Sequence, residues 1–148
     1  LRVEGLAGDL RAEQEIVAFL STGRRTGKVA VVREDGRPHV TPIWFVLDGE
    51  QLVFNTWHES VKARCLQRDP RISLCVDMEQ PPYAFVMVEG SVEITAQPDE
   101  LLRFATRIAA RYMGEERAEE YGKRNSGEGE LLVRVTPQKI IARKGIAD

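Results

Sequence analysis

The spacing of apolar positions along this chain changes several times, and each change predicts an element. Between residues 9 and 21, Leu10, Ile16, Val17, Phe19 and Leu20 recur at helical spacing among Arg, Glu and Gln, which predicts a packing helix ended by Gly23. The β-branched run at 28–33 predicts a strand. Glu34-Asp35-Gly36 then predicts a hairpin turn, because Asp-Gly tolerates the positive φ such turns need. A second strand, 37–47, contains Pro38 and Pro42, which cannot donate to a ladder and so imply an edge, a bulge or a bend. There the backbone of Val40, Thr41, Pro42 and Ile43 is free to face a ligand. After an Asp48-Gly49 turn come a third strand, 51–56, and a short helix, 59–68, stopped by Asp69-Pro70.

The fourth strand, 71–77, sets Ile72, Leu74 and Val76 against Arg71, Ser73, Cys75 and Asp77. The fifth, 83–95, alternates Phe85, Met87 and Glu89 with Ala84, Val86 and Val88, and carries Gly90 as a bulge or bend. Helical spacing returns at 99–112 and 115–123, and short strands at 131–135 and 139–142 flank Thr136-Pro137. Six to seven antiparallel strands joined by short turns, with helices between them, predict a mainly β domain over residues 1–148: a closed or nearly closed barrel with helices packed outside.

Charge narrows the function. The net charge of −2 provides no broad basic field for nucleic acid or an anionic membrane, so any anion must be gripped locally. No apolar run is long enough to span a bilayer, and the first residues lack the regions of a secretory signal, so the expected location is the cytoplasm. Cys65 and Cys75 have neither Cys-x-x-Cys spacing nor a nearby His cluster; the expectation is two reduced, buried, unreactive thiols and no metal site.

A local grip for an anion is present where Thr56 ends a strand and a helix begins with Ser60, Lys62 and Arg64. Hydroxyls, free backbone N–H groups and positive charge converge there as a phosphate requires. On an ideal helix position 62 points about 200° away from 60, so these groups can share one phosphate only if Ser60 lies in the non-helical cap. His39 and His58 have a side chain that titrates near neutrality, but strand alternation at His39 and a loop setting at His58 favour structural and surface roles. Trp44 and Phe45, adjacent on a strand, face opposite sides, so at most one lines the ligand's side. Tyr83 and Tyr112 are candidates for a substrate pocket.

Several of these segments, in this order, resemble one superfamily. They are Gly36-Arg37-Pro38-His39-Val40-Thr41-Pro42-Ile43-Trp44-Phe45, Phe54-Asn55-Thr56, Ser60-Val61-Lys62-Ala63-Arg64, Arg68-Asp69-Pro70-Arg71-Ile72-Ser73-Leu74 and Val86-Met87-Val88-Glu89-Gly90-Ser91-Val92-Glu93. Together they look like the pyridoxamine-phosphate-oxidase-like split β-barrels, which share the FMN-binding-protein fold, and most like the branch that uses the deazaflavin coenzyme F-420. The resemblance implies a homodimer with cofactor sites at the subunit interface, each built from both chains. It implies that Lys62, Ser60 and Thr56 hold the cofactor phosphate, aided by Asn55 and Arg64, and that Val40, Thr41, Pro42 and Ile43 run beside the ring. Phe85 stands where flavin members place a polar side chain, and Val61 where flavin oxidases place a second cation. Both departures fit the singly charged phosphodiester of F-420 better than the nearly dianionic phosphate of FMN. The implied activity is hydride transfer between F-420 and a small conjugated or quinone-like substrate walled by Ile43, Trp44 and Phe85, with Tyr83 a pocket candidate and no dedicated catalytic residue. The alternatives are an FMN-binding reductase or oxidase on the same barrel and a non-catalytic cofactor-binding protein.

Overall fold

The computed structural model describes residues 2–4 and 10–148. In chain order the elements are β1 (Arg2–Glu4), α1 (Leu10–Ser21), β2 (Gly27–Val32), β3 (Pro38–Ile43), β4 (Val46–Asp48), β5 (Gln51–Trp57), α2 (Val61–Arg68), β6 (Arg71–Met78), β7 (Ala84–Thr95), α3 (Pro98–Met113), α4 (Ala118–Arg124) and β8 (Glu130–Lys144). The strands run in the spatial order β3-β2-β6-β7-β8-β5-β4, each antiparallel to its neighbours, and β1 adds to β8 in parallel.

This order forces the sheet to roll up. Strands β3 and β4 are its two edges, yet they are consecutive in the chain, joined through Trp44 and Phe45. Six spacings of about 4.8 Å would hold the edges about 29 Å apart in a flat sheet, whereas the link from Ile43 to Val46 reaches about 11 Å. The predicted strand at 37–47 is therefore two strands on opposite sides of a seam. β3 pairs with β2, and β4 with β5. Pro38 and Pro42 fall on the edge strand, the one setting in a sheet that tolerates them.

The interior is filled from alternate positions: Val29 and Val31 of β2, Leu52 and Phe54 of β5, Leu74 and Val76 of β6, Val86 and Val88 of β7, and Val133 and Val135 of β8. Phe45, at the seam, is fully buried among them. Ile16 and Leu20 of α1, one turn apart, plug one side of this core, which leaves Val17 52% exposed rather than on the packed face. The predicted helix start at residue 9 lies outside the described residues. α3 covers the outside of the barrel, where Leu101, Phe104, Ile108 and Tyr112 pack on Val46, Val53 and Leu132. β5 is thus covered on both faces.

Two further expectations are corrected. The terminal strands predicted on either side of Thr136-Pro137 are one continuous strand, because the pairing with β7 shifts between Glu89 and Gly90 and absorbs the proline at a bulge. Gly90 is required there, since a Cβ would stand 2.3 Å from the Thr136 carbonyl oxygen. Cys65 is buried as expected, but Cys75 is half-buried on the outer face of β6; burial, followed by the charge of Asp77, pushes its thiol pKa up and keeps it protonated.

The seam is held by α3. With no strand partner at this break, the Phe45 N–H donates to the Tyr112 hydroxyl at 3.2 Å, and that hydroxyl donates onward to the Arg25 carbonyl at 2.8 Å. Burial raises the Tyr112 pKa, which keeps the phenol protonated for this double role. Arg111 gives its three nitrogens to the carbonyls of Phe45, Leu20 and Gly23, joining the seam to the end of α1. A Tyr112→Phe variant would keep the ring but strand a buried N–H. Urea unfolding is expected to show a loss of about 1–3 kcal/mol; an unchanged midpoint would mean that the hydroxyl does not hold the seam.

Candidate functional site

One cleft of about 420 Å³ opens beside the seam, lined by Thr26, Pro42, Ile43, Trp44, Asn55, Thr56, Trp57, Lys62, Asn125 and Glu130. It lies where the end of β3, the end of β5, the start of α2 and the start of β8 converge.

The β5–α2 junction explains the placement of its polar groups. The chain turns tightly after Trp57, with Ser60 N–H donating to the Trp57 carbonyl. Ser60 is the N-cap of α2, in extended backbone geometry (φ −62°, ψ 153°), and its Oγ accepts from the Ala63 N–H at 3.1 Å. The condition set by helix geometry, a non-helical Ser60, is therefore met. Thr56 is buried, and its hydroxyl lies 2.9 Å from that of Ser60, so the two form a linked pair behind the cleft wall.

Lys62 follows on the first turn of α2 and lines the cleft. It is half-buried, burial lowers its pKa, and it has no hydrogen bond or ion pair among the described residues. An unpaired ammonium held partly out of water is costly unless an anion joins it. Elsewhere the protein does supply such an anion. In a cleft of about 460 Å³ between residues 22–26 and 77–80, Lys28 is paired with Asp77 at 2.8 Å.

Glu130 faces the same cleft from the first position of β8, paired in register with Trp57. Burial raises its pKa, opposed by a hydrogen bond from Asn55 and the nearby His58. Asn55 Nδ2 also donates to the Asn125 carbonyl at 2.8 Å, tying the segment after α4 to the cleft. The floor of the β5 end depends on Gly129. At φ 94° it adopts a conformation that side chains avoid, and a Cβ would fall 2.3 Å from the Trp57 ring. His58 is held there, its backbone N–H donating to the Gly129 carbonyl and its Nδ1 3.0 Å from the same oxygen.

Both tryptophans of the chain line this one cleft. Trp44 is stacked on Tyr112, with ring centroids 5.2 Å apart and planes 3° from parallel. Trp57 rests against His58 at 4.5 Å. Both remain partly exposed, and with Ile43 and Pro42 they give an apolar, aromatic wall opposite the charged groups.

Of the residues singled out by sequence, Pro42, Ile43, Trp44, Asn55, Thr56 and Lys62 meet in the cleft, and Ser60 stands behind Thr56. The others lie elsewhere in the single chain. Val40 is 65% exposed on the outward side of β3, and Thr41 points inward with its Oγ1 buried and unpartnered, as is His39 Nδ1. Arg64 is exposed on α2, off the cleft lining. Phe85 borders a smaller cleft under α1, with Ile16 and Phe19. Tyr83, at φ 66°, lies in the β6–β7 loop, where its carbonyl accepts from the Ile146 N–H. Tyr112 is buried behind Trp44 rather than lining a pocket. Thr26, Trp57, Asn125 and Glu130 were not anticipated. Trp57 could have been read from its place beside Thr56, but Glu130 enters only through the pairing of β5 with β8. No group of three or more potential metal-ligating side chains occurs among the described residues, and none of their helices is long and apolar enough to cross a membrane.

The family model for pyridoxamine 5'-phosphate oxidase matches residues 12–144, and the chain belongs to that family of split β-barrels. Its structure is similar to that of the conserved hypothetical protein Rv2991 of Mycobacterium tuberculosis, with a TM-score of 0.82 and 26% identity over 96% of this chain and 90% of that one. It is also similar to an F-420 reductase, with a TM-score of 0.65 and 29% identity over 83% of this chain and 94% of that one. HutZ, the heme storage protein of Vibrio cholerae, shares the fold at 22% identity, with a TM-score of 0.67 over 86% and 92% of the two chains.

The raised pKa of Glu130 has a consequence for stability. A carboxyl whose folded pKa lies above its unfolded value holds its proton more tightly in the native state, so stability falls as pH rises from the ordinary glutamate value of 4.5 through the raised one. Glu130→Gln removes that term. The thermal midpoint of the variant is expected to lie above that of the parent at neutral pH, with the difference shrinking in acid; a constant difference would exclude titration of Glu130 as its source.

Proposed function

We propose that this protein is an oxidoreductase that holds coenzyme F-420 in the cleft beside the seam and transfers a hydride between it and a small conjugated or quinone-like substrate. The observation that carries this reading is Lys62, a half-buried ammonium with no counter-charge among the described residues, set on the first turn of α2 beside the Thr56–Ser60 hydroxyl pair. Those groups fit a phosphate. Lys62 supplies the charge, while the helix start supplies backbone N–H groups and a favourable dipole. Because Lys62 is the only cation among the described residues that line the single-chain cleft, a singly charged phosphodiester matches it better than a dianion. The similarity to an F-420 reductase supports the same choice.

When bound, F-420 supplies the two-electron hydride chemistry itself. The residues of the chain then have the tasks of orientation and water exclusion. Ile43, Pro42 and Trp44 form a flat apolar wall against which a planar ring can lie. The edge position of β3 leaves one side of its backbone without a strand partner, available to polar ring atoms. Trp44, fixed by its stack on Tyr112, offers the substrate side an apolar face of set orientation, which favours a close approach of the reacting carbons. We further propose a homodimer in which Val40, Thr41, Phe85 and Tyr83, which lie away from the single-chain cleft, complete the cofactor and substrate sites across the interface.

Because both tryptophans line the cleft, their fluorescence reports its occupancy directly. Titration with F-420 is expected to quench this emission with a Kd of about micromolar or below, and Lys62→Ala to weaken binding about tenfold or more, roughly 1.4 kcal/mol. Preference for FMN would transfer the protein to flavin chemistry on the same barrel; quenching by neither cofactor would end the cofactor assignment. Sedimentation equilibrium checks the dimer, and a monomer in the presence of saturating F-420 would rule out a site shared between two chains.

A further inference from the structure

Among the described residues, Lys62 is accompanied in its cleft by one other ionisable side chain, Glu130, and no ion pair joins the two. The cleft therefore confronts an entering anion with one attracting and one repelling charge. We propose that Glu130 is the charge selector of this site, a carboxylate that admits a singly charged phosphodiester beside Lys62 and turns away a terminal phosphate monoester.

The inference rests on the reading of Lys62 as the phosphate-holding cation, and it adds what that reading lacks, an element that acts against the wrong ligand. A phosphodiester carries one charge, which Lys62 neutralises. A monoester, with a second ionisation near pH 6, carries close to two at neutral pH. The second charge finds no further cation among the described residues lining the cleft and meets the Glu130 carboxylate. Discrimination by a repulsive group of this kind is a recurring device in specific binding sites.

The fold fixes Glu130 in place. It begins β8 in register with Trp57, next to Gly129, where φ 94° and the close approach to the Trp57 ring disfavour any side chain. His58 from the β5–α2 turn is its nearby titratable group, and Lys62 from α2 lines the same cleft. Burial of the carboxyl is tolerated at a cost in stability, which is understandable if the group is kept for selection rather than for folding.

The test compares the parent, Glu130→Gln, Glu130→Asp and Lys62→Ala, each checked for folding by circular dichroism and titrated with F-420 and with FMN by tryptophan quenching. Glu130→Gln is expected to tighten FMN binding about tenfold or more while changing F-420 binding by less than about threefold. Glu130→Asp, which keeps the charge, is expected to retain the preference of the parent. If Glu130→Gln moves both affinities by the same factor, or neither, while Lys62→Ala weakens both, the selector role is overturned and the phosphate site stands. If Lys62→Ala leaves both affinities unchanged, the phosphate reading itself fails, and the selector role with it.

Discussion

Everything about the site follows from a length mismatch. Two edge strands that a flat sheet would keep about 29 Å apart are joined through Trp44 and Phe45, so the sheet closes on itself and the chain crosses the closure without ladder hydrogen bonds. Backbone groups stranded at such a crossing must find partners. Here α3 provides them through Tyr112 and Arg111, which also hold the end of α1 and the segment around Arg25. The helix that contributes these two residues is amphipathic, with its other apolar residues on the outer face of β4, β5 and β8, so one element both covers the barrel and ties its seam.

The seam also creates the cleft. A strand that stops pairing at Ile43 leaves a gap at the barrel edge, and the end of β5 and the start of α2 are delivered to that gap by the same β4–β5 hairpin that the seam releases. The result is an aromatic wall facing a polar corner. Within that corner Lys62 has no counter-charge among the described residues, unlike the neighbouring cleft in which Lys28 and Asp77 satisfy each other. A protein that leaves a half-buried lysine unpaired gives up folding free energy at that position.

Much of this could be read from the chain. The alternation in 71–77 and 83–95 gave the faces of β6 and β7 correctly, and Gly90 was recognised as a place where the ladder changes. Ser60 was required by helical geometry to be a cap, and it is one. What was not legible has a common cause. Local periodicity cannot show that 37–47 is shared between two edges, because both halves read as extended and no turn residue separates them; only the closure of the sheet does. In the same way Thr136-Pro137 looks like a break until the bulge opposite Gly90 is seen to absorb it. Glu130 stands seventy-four positions from Thr56 in sequence and one strand away in space, and no short-range pattern links them. Helical spacing groups Val17 with Ile16 and Leu20, but the packed stripe is narrower than the apolar one and leaves Val17 outside it.

The stack of Trp44 on Tyr112 couples the shape of the cleft to the closure of the barrel. The aromatic wall is backed by a helix on the outside of the protein, and the ring that backs it carries the hydroxyl that ties the seam. A substitution at Tyr112 therefore shifts the wall and loosens the closure together. Cleft geometry and barrel integrity vary as one unit, not as two independent features.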